Sequence, residues 1–185
     1  MAFRPDFLEA LTLLSRGIAE MVERGLQPPV LVGGAAVEFY TDSDVWSRDF
    51  DLVTPHRNEL FEVLRAQGFV TATDPGVLRG GVVHPSLRLG VQVVSGQLMD
   101  GRAERDRIFV VDVEGAPLGI ISVEDLIADR VGQAYSDEPP RKDMLTQAVR
   151  LLDLAESIDE SYLDRRICEE TLSHATLATL KELKA

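Results

Sequence analysis

Two aspartates separated by one residue, Asp49 and Asp51, are the side chains in this sequence best suited to metal chemistry. They lie in the segment Ser47-Arg-Asp-Phe-Asp-Leu-Val53, whose polar and apolar residues alternate as in a β-strand. Because successive strand residues point to opposite faces, both carboxylates would project to one side of the strand. Adjacent carboxylates repel each other, and a divalent cation that prefers oxygen ligands relieves this repulsion. The spacing therefore predicts a site for Mg²⁺ or Mn²⁺.

Two glycines, Gly33 and Gly34, follow the short apolar run Val30-Leu-Val32. The run predicts a buried strand, and Ala35 to Tyr40 predicts a short helix after it. Glycines at such a turn let the backbone approach a phosphate while the amides at the start of the helix point at it. A polyphosphate held there would lie beside the strand that carries the two acids. A tight turn without a ligand is the alternative interpretation.

The elements that must position these residues fall into three regions. A helix over residues 5–25 precedes the first strand, and a second long helix, with Thr54 as its N-cap and Pro55 in its first turn, runs through Gln67. The stretch that follows is typical of strands, predicted at 69–73, 77–83, 87–94 and 108–113. Ser122-Val-Glu-Asp125 then has capping-box spacing and begins a helical third, with later helices expected at 160–171 and 174–183. We therefore expect an α+β core over residues 1–121 and a C-terminal helical segment over 122–185 packed on it.

Composition limits the classes of function. The chain has 185 residues, 45% of them apolar, without an apolar run of membrane-spanning length. Its N-terminus lacks the apolar centre of a secretion signal, so a cytoplasmic location is expected. A net charge of -12 argues against binding to duplex DNA. Only residues 75–110 are mildly basic, through arginines that would line a groove for a nucleotide or an RNA end or would simply be solvated: Arg79, Arg88, Arg102, Arg105 and Arg107.

The quoted motifs resemble those of a known superfamily. Leu31-Val-Gly-Gly-Ala-Ala-Val-Glu-Phe-Tyr40, followed after a loop by Ser47-Arg-Asp-Phe-Asp-Leu-Val53, is similar to the signature of the polymerase-beta-type nucleotidyltransferases. The resemblance implies a mixed β-sheet flanked by helices and transfer of a nucleoside monophosphate from a nucleoside triphosphate to an acceptor hydroxyl. It implies that Gly33 and Gly34 hold the triphosphate and that Asp49 and Asp51 bind Mg²⁺. Ser47 would add a hydrogen bond to a phosphate, or would merely end the loop.

A second resemblance concerns the helical part of the chain. Ile121-Ser-Val-Glu-Asp-Leu-Ile-Ala-Asp-Arg130, followed by Arg141-Lys-Asp143 and a long apolar helix, is similar to the helical part of the bacterial abortive-infection toxin-like nucleotidyltransferases. This likeness suggests a role in a toxin–antitoxin pair, with an antitoxin or another protein as partner. The acceptor itself is not readable from the sequence, and a small molecule, a protein and an RNA end all remain open.

One position departs from the superfamily pattern. The superfamily places a third carboxylate on a later strand, where the run Leu89-Gly-Val-Gln-Val-Val94 offers Gln92. A glutamine lends a carbonyl oxygen to a metal but takes no proton, and the loss of general-base help typically costs about 10² to 10⁴ in rate. Asp112, within Val110-Val-Asp-Val113, is an alternative third ligand or an ordinary surface acid. A catalytically degenerate protein that binds a nucleotide or a protein partner is therefore the main alternative function.

Two other enzyme classes share the paired-aspartate pattern. In phosphatases of the haloacid-dehalogenase type the first aspartate is a nucleophile at the end of an apolar strand, but the residues before Asp49 are mixed in character. Glycosyltransferases use a similar metal clamp, normally in a much longer chain. Neither class gives a role to the two glycines, so both rank below the nucleotidyltransferase interpretation.

Overall fold

The computed structural model describes residues 3–72 and 80–184. The chain divides into two compact units, Met1–Ile121 and Ser122–Ala185. In the described part of the chain, the first unit carries all the strands and the second is helical. The predicted α+β class, a mixed sheet flanked by helices with a C-terminal helical segment, is confirmed. No helix within the described ranges is both long and apolar enough to cross a bilayer.

The first unit is built on a seven-stranded sheet. In chain order the strands are β1 (Val30–Val32), β2 (Asp49–Val53), β3 (Val70–Thr71), β4 (Val82–His84), β5 (Leu89–Ser95), β6 (Phe109–Val113) and β7 (Ala116–Ile120). The helices of this unit are α1 (Pro5–Glu23), α2 (Gly33–Tyr40) and α3 (Arg57–Ala66), with short 3-10 turns at Leu98–Gly101 and Arg105–Arg107. Residues 73 and 77–79, which belong to predicted strands, and Arg79 among the basic residues lie outside the described part.

The strand order places β2 at the centre of the sheet. Across the sheet the order is β3-β4-β5-β2-β1-β7-β6. β2 pairs antiparallel with β1 and parallel with β5, and β1 pairs parallel with β7. A residue of β2 therefore has neighbours from β1 on one side and from β5 on the other.

One face of β2 is covered by the first helix. Phe50 and Leu52 are almost completely buried, and the ring of Phe50 stacks on that of Phe7 in α1 at a centroid distance of 5.3 Å. The buried positions of α1 recur every three or four residues, which is the spacing of one helix face. The apolar residues of β2 are thus fixed in the core, and its alternate residues, Asp49 and Asp51, point the other way.

One local prediction differs from the structure, and one strand, β7, is absent from the predicted strands. Helix α3 begins at Arg57 instead of at Thr54, because the Thr54 hydroxyl accepts a hydrogen bond from the His56 amide at 3.1 Å and forms a turn before the helix. Strand β7 contains Pro117 but begins to pair with β1 only at Gly119, so the missing amide hydrogen of the proline interrupts no bond to β1.

The second unit contains four helices in its described residues: α4 (Val123–Tyr135), α5 (Lys142–Leu154), α6 (Glu160–Glu170) and α7 (Leu177–Lys184). The predicted capping box is present, since the Ser122 hydroxyl accepts a hydrogen bond from the Asp125 amide at 3.1 Å. Asp125 also binds Arg166 of α6, with Nε donating to Oδ1 at 2.7 Å, and both side chains are buried. Helices α4 and α6 are thereby joined through a buried ion pair.

Candidate functional site

Asp49 and Asp51 lie on the same face of the central strand β2. Both are half-buried and alternate with the buried Phe50 and Leu52. The pKa of Asp49 is raised above its ordinary value, mainly by burial and secondly by repulsion from Asp51. The positive charge of Arg48 lowers it by a smaller amount. The two acids are therefore close enough to share a cation, and in its absence their ionised forms destabilise each other.

The first glycine of the pair lies directly against the second acid. Gly33 opens α2 with φ of +66°, a backbone conformation that L side chains rarely adopt. A Cβ added at Gly33 would lie 3.0 Å from the Cβ of Asp51 and closer still to its Oδ2. The register explains the contact, because Asp51 is paired with Val32, the residue just before Gly33. Only glycine fits here while Asp51 keeps its carboxylate.

Ser47 lies against the second glycine. A Cβ added at Gly34 would lie 2.9 Å from the Ser47 Oγ. That hydroxyl donates to the Asp49 carbonyl at 2.8 Å and accepts from the Asp49 amide at 3.4 Å. Ser47 thus joins the start of α2 to the start of β2, so the structure brings together Gly33, Gly34, Ser47, Asp49 and Asp51.

Gln92 reaches the acids from the neighbouring strand. It is paired directly with Asp51 across β2 and β5, and its Nε2 donates to Asp51 Oδ1 at 2.6 Å. The amide therefore orients one oxygen of Asp51 and stabilises its ionised form. In this orientation the Gln92 nitrogen faces Asp51, and its carbonyl oxygen would reach a shared cation only after the amide group turns over.

Asp112 is not brought to this group. It lies in β6 at the outer edge of the sheet, three strand positions from β2, which is roughly 14 Å at the usual strand spacing. Its Oδ1 accepts a hydrogen bond from the Gly115 amide at 2.8 Å, in the turn that leads to β7. Asp112 is exposed and closes a hairpin, which is the ordinary surface role.

The donor set suits a hard divalent cation, although it is small. Within the described ranges no cluster of three His, Cys, Asp or Glu side chains has the geometry to hold a metal. The available oxygens come from two carboxylates and one amide, and Mg²⁺ commonly binds one or two protein carboxylates together with water and substrate phosphate. The residues present therefore fit Mg²⁺ or Mn²⁺ delivered with a nucleotide.

Three arginines of the basic segment, Arg102, Arg105 and Arg107, have their partners away from this site. Arg105 donates hydrogen bonds to the side-chain oxygen of Gln27 and borders a cleft near Pro28 and Pro29, at the start of β1, whereas Gly33 lies beyond the end of β1. Arg102 binds Asp100, and Arg107 binds Glu104. These arginines carry local surface pairs in the described structure.

The motifs do not point to a buried ion pair behind the site. Glu38 of α2 is fully buried and binds Arg4, which immediately precedes α1. An unusual feature of the sequence is an acidic residue inside the apolar run Ala35-Ala-Val-Glu-Phe39, and this is the signal by which Glu38 can be found. Arg4, 34 residues away, carries no comparable signal.

The fold is shared with solved nucleotidyltransferase-like structures. No protein-family model and no curated protein sequence matches the chain. A crystal structure of an antigenic nucleotidyltransferase-like protein from Paracoccidioides brasiliensis is similar over 99% of this chain and 95% of its own, with a TM-score of 0.62 and 14% identity. The crystal structure of ANT(2″)-Ia with adenylyl-2″-tobramycin is similar over 90% of this chain and 99% of its own, with a TM-score of 0.60 and 16% identity.

A solution structure of the same antibiotic-resistance factor, ANT(2″)-Ia, gives a consistent result. It is similar over 95% of this chain and 97% of its own, with a TM-score of 0.57 and 15% identity. At these identities the likeness concerns the path of the backbone. The chain has the nucleotidyltransferase fold that its motifs predict.

Proposed function

We propose, with the nucleotidyltransferase fold as premise, that the protein transfers a nucleoside monophosphate from a nucleoside triphosphate to an acceptor hydroxyl. The observation that carries the proposal is the contact between Gly33 and Asp51. A phosphate bound by the first amides of α2 would lie next to both carboxylates of β2. This chemistry needs metal ligands next to phosphate-binding amides, and the short distance between Gly33 and Asp51 supports that assignment for these residues.

Each residue of the site has a distinct part in the proposed reaction. Asp49 and Asp51 would hold Mg²⁺, which when bound neutralises charge on the phosphates and on the pyrophosphate that leaves. Gly33 and Gly34 admit the phosphates to the backbone amides. In the transfer, the acceptor oxygen forms a bond to the α-phosphorus as the bond to pyrophosphate breaks, and the hydroxyl proton is released. Gln92 cannot take that proton.

The test measures binding of nucleoside triphosphates and transfer of the nucleoside monophosphate in separate experiments. Titration with ATP, GTP, CTP and UTP in the presence of Mg²⁺ should show saturable binding that is lost with EDTA and in Asp51→Asn. Incubation with α-labelled triphosphates and a panel of hydroxylated small molecules, RNA ends and the protein itself should then reveal labelled acceptor. Failure of every triphosphate to bind in the presence of Mg²⁺ would refute the proposal.

A matched pair of glycine substitutions tests the contact that carries the proposal. Gly33 and Gly25 have similar positive φ values of +66° and +74°, but a Cβ at Gly25 would meet nothing within 4 Å. Both Gly25→Ala and Gly33→Ala should lose stability through backbone strain, by about 1–2 kcal/mol. Only Gly33→Ala should also lose nucleotide binding, because its methyl group displaces Asp51. Equal nucleotide affinity in the two variants would contradict the assignment of the site.

Nucleotide binding without turnover is the second candidate, and Gln92 is the observation that favours it. Its side chain, which donates a hydrogen bond to Asp51, stands where the superfamily pattern has the third carboxylate. Gln92→Glu separates the two candidates, since a carboxylate there supplies a metal ligand and a base. If the natural protein only binds, the wild type should show no transfer while retaining Mg²⁺-dependent affinity. If the natural protein is an enzyme, the wild type should already transfer the nucleotide, and Gln92→Glu should only change the rate of transfer.

For the acceptor we favour a small hydroxylated molecule. The structure of ANT(2″)-Ia contains an adenylylated small molecule, and the net charge of -12 disfavours a long polyanion such as RNA. The resemblance of residues 121–143 to the toxin-like group supports instead an RNA end or a partner protein within a toxin–antitoxin pair. The labelled acceptor in the transfer experiment distinguishes these classes directly.

A further inference from the structure

A buried ion pair borders the proposed nucleotide site without belonging to its ligands. Glu38 is completely excluded from solvent. Arg4 donates to it from Nε at 2.7 Å and from Nη2 at 3.0 Å, and Ser43 Oγ donates to it at 2.9 Å. Burial of a carboxylate is costly unless the charge is paired and hydrogen-bonded, and here it is both. The other groups that this buried pair binds therefore indicate what it positions.

The ion pair holds both backbone polar groups of Ser47. The Ser47 amide donates to Glu38 Oε2 at 2.5 Å, and the Ser47 carbonyl accepts from Arg4 Nη2 at 3.0 Å. Bonds to charged groups are stronger than those between neutral groups, so the peptide units on both sides of Ser47 are firmly oriented. Ser47 in turn contacts the position of Gly34 and bonds both backbone groups of Asp49.

We propose that the Glu38–Arg4 pair is a positioning device that sets the distance between the phosphate-binding start of α2 and the acid-bearing start of β2. The inference rests on the function proposed above, because the site it positions is the one assigned there. Both residues act on the site through the backbone of Ser47, whose hydroxyl is itself a predicted phosphate-binding group. The loop between α2 and β2 has two residues at positive φ, Asp42 and Ser43, and the pair fixes the geometry of this loop.

Arg4 also links the device to a spectroscopic signal. Its guanidinium carbon lies 4.9 Å from the ring centroid of Trp46, the only tryptophan of the chain, which is 73% exposed. Hydrogen bonding to Glu38 is the main cause that raises the pKa of Arg4, so the cation is present beside the ring throughout the working pH range. Emission from Trp46 reports whether the guanidinium keeps its place.

Two substitutions loosen the device while keeping its volume. Glu38→Gln removes the negative charge but preserves the shape. Arg4→Lys keeps a positive charge, but one ammonium group cannot reproduce the fork that reaches Glu38 and Ser47 together. Arg24→Lys is the matched control, since Arg24 at the other end of α1 forms an exposed ion pair with Glu20 and Glu62. Each protein is examined by thermal unfolding, Trp46 emission and titration with Mg²⁺ and ATP, with GTP, CTP and UTP in parallel.

The expected result is a loss of affinity for the Mg²⁺-nucleotide complex of about ten- to a hundredfold in Glu38→Gln and Arg4→Lys, the scale of effect that follows a displacement of about 1 Å in a binding group. Trp46 emission should change in the same two proteins, and unfolding should stay cooperative. Arg24→Lys should match the wild type in affinity and emission. If either core variant does not fold, Ser43→Ala should weaken binding severalfold, because it removes the bond from Ser43 Oγ to Glu38 and the bond from the Arg4 amide to Ser43 Oγ but leaves the ion pair.

The outcomes separate this inference from the function on which it rests. Wild-type affinity in folded Glu38→Gln and Arg4→Lys would overturn the positioning role and leave the nucleotide site intact. Unchanged Trp46 emission in both would overturn the role of the guanidinium in the device. A wild-type protein that binds no nucleoside triphosphate would overturn the proposed function, and the positioning role with it.

Discussion

At the residue scale, the charge of Asp49 lowers the free energy of unfolding, because its carboxylate is less stable in the folded protein than in water. It is half-buried, its neighbour Asp51 has the same charge, and the described structure gives its carboxylate no hydrogen-bond donor. A group whose carboxylate is disfavoured in the folded state binds its proton more tightly there than in the unfolded chain. The free energy of unfolding therefore falls as the pH rises from the ordinary aspartate pKa of 3.8 through the raised pKa of Asp49.

This cost predicts that Asp49→Asn stabilises the metal-free protein at pH 7. The melting temperature in EDTA should rise by about 2–4 °C for each kcal/mol of relieved repulsion. The difference from the wild type should shrink as the pH is lowered toward 3.8, since protonation of Asp49 then removes the same charge. Asp106→Asn, at an exposed position, is the control. A lower melting temperature for Asp49→Asn in EDTA at pH 7 would show that Asp49 instead supports the fold.

The residues of the site differ in how far the sequence reveals them. The paired acids and the glycines are separated by only 15 residues and have types that few other roles require, so local spacing predicts them. Gln92 is identified because it stands where an acid is expected. Arg4 is not predictable, because its partner Glu38 lies 34 residues away and an arginine before a helix is common on any surface.

At the element scale, the helical unit depends on the ion pair between α4 and α6. Arg166 is fully buried and binds Asp125, which also accepts a hydrogen bond from the Tyr162 hydroxyl at 2.9 Å and caps α4 with Ser122. Arg165, one residue earlier, is exposed and pairs with Glu169, an acid that Arg166 also binds together with Glu170. The two adjacent arginines thus offer the same chemistry in opposite environments.

We therefore predict different costs for Arg166→Met and Arg165→Met. Removal of one member of a buried pair leaves the other charge without compensation, so Arg166→Met should lower the free energy of unfolding by about 3–5 kcal/mol. The exposed pair is worth about 0–1 kcal/mol, and Arg165→Met should change stability by no more than that. Urea denaturation measured at neutral pH compares the two. Similar losses would mean that burial does not govern the strength of this network.

Elements with strong local signals are predicted well, and those set by distant partners are not. Val30–Val32 and the helix beginning at Gly33 follow from an apolar run that ends at glycines. Thr54 has the side chain of a helix cap, but its hydroxyl accepts a hydrogen bond from the amide of His56, which precedes the helix that begins at Arg57. Strand β7 carries a proline near its start, and it is a strand because β1 and β6 lie on either side of it.

At the scale of the whole molecule, charge selects among partners. The net charge of -12 repels nucleic acid at long range, and two exposed arginines of the mildly basic segment, Arg102 and Arg107, are paired with neighbouring acids. We predict no saturable binding to duplex DNA or to folded RNA at about 50 mM salt, where phosphate contacts are strongest. Fluorescence anisotropy with labelled duplex and tRNA measures this. Tight binding that weakens steeply with salt would contradict the preference for a small acceptor.

The order of the strands in the sheet cannot be predicted from local sequence patterns. Helix and strand patterns predict the described strands of the sheet except β7, but not the order that places β2 between β1 and β5. That order is what sets Gln92 opposite Asp51. Pairing between strands about 40 residues apart depends on the whole chain, and here it follows only from likeness to a known fold.

The closeness of Gly33 to Asp51 links the evolutionary histories of two positions that are 18 residues apart. A methyl group at position 33 displaces the Asp51 side chain, and a residue at position 51 that is short enough to avoid this contact has no carboxylate. In distant relatives, the acid and the glycine should therefore disappear together. A descendant with a side chain at 33 and aspartate at 51 must have rebuilt the turn between β1 and α2.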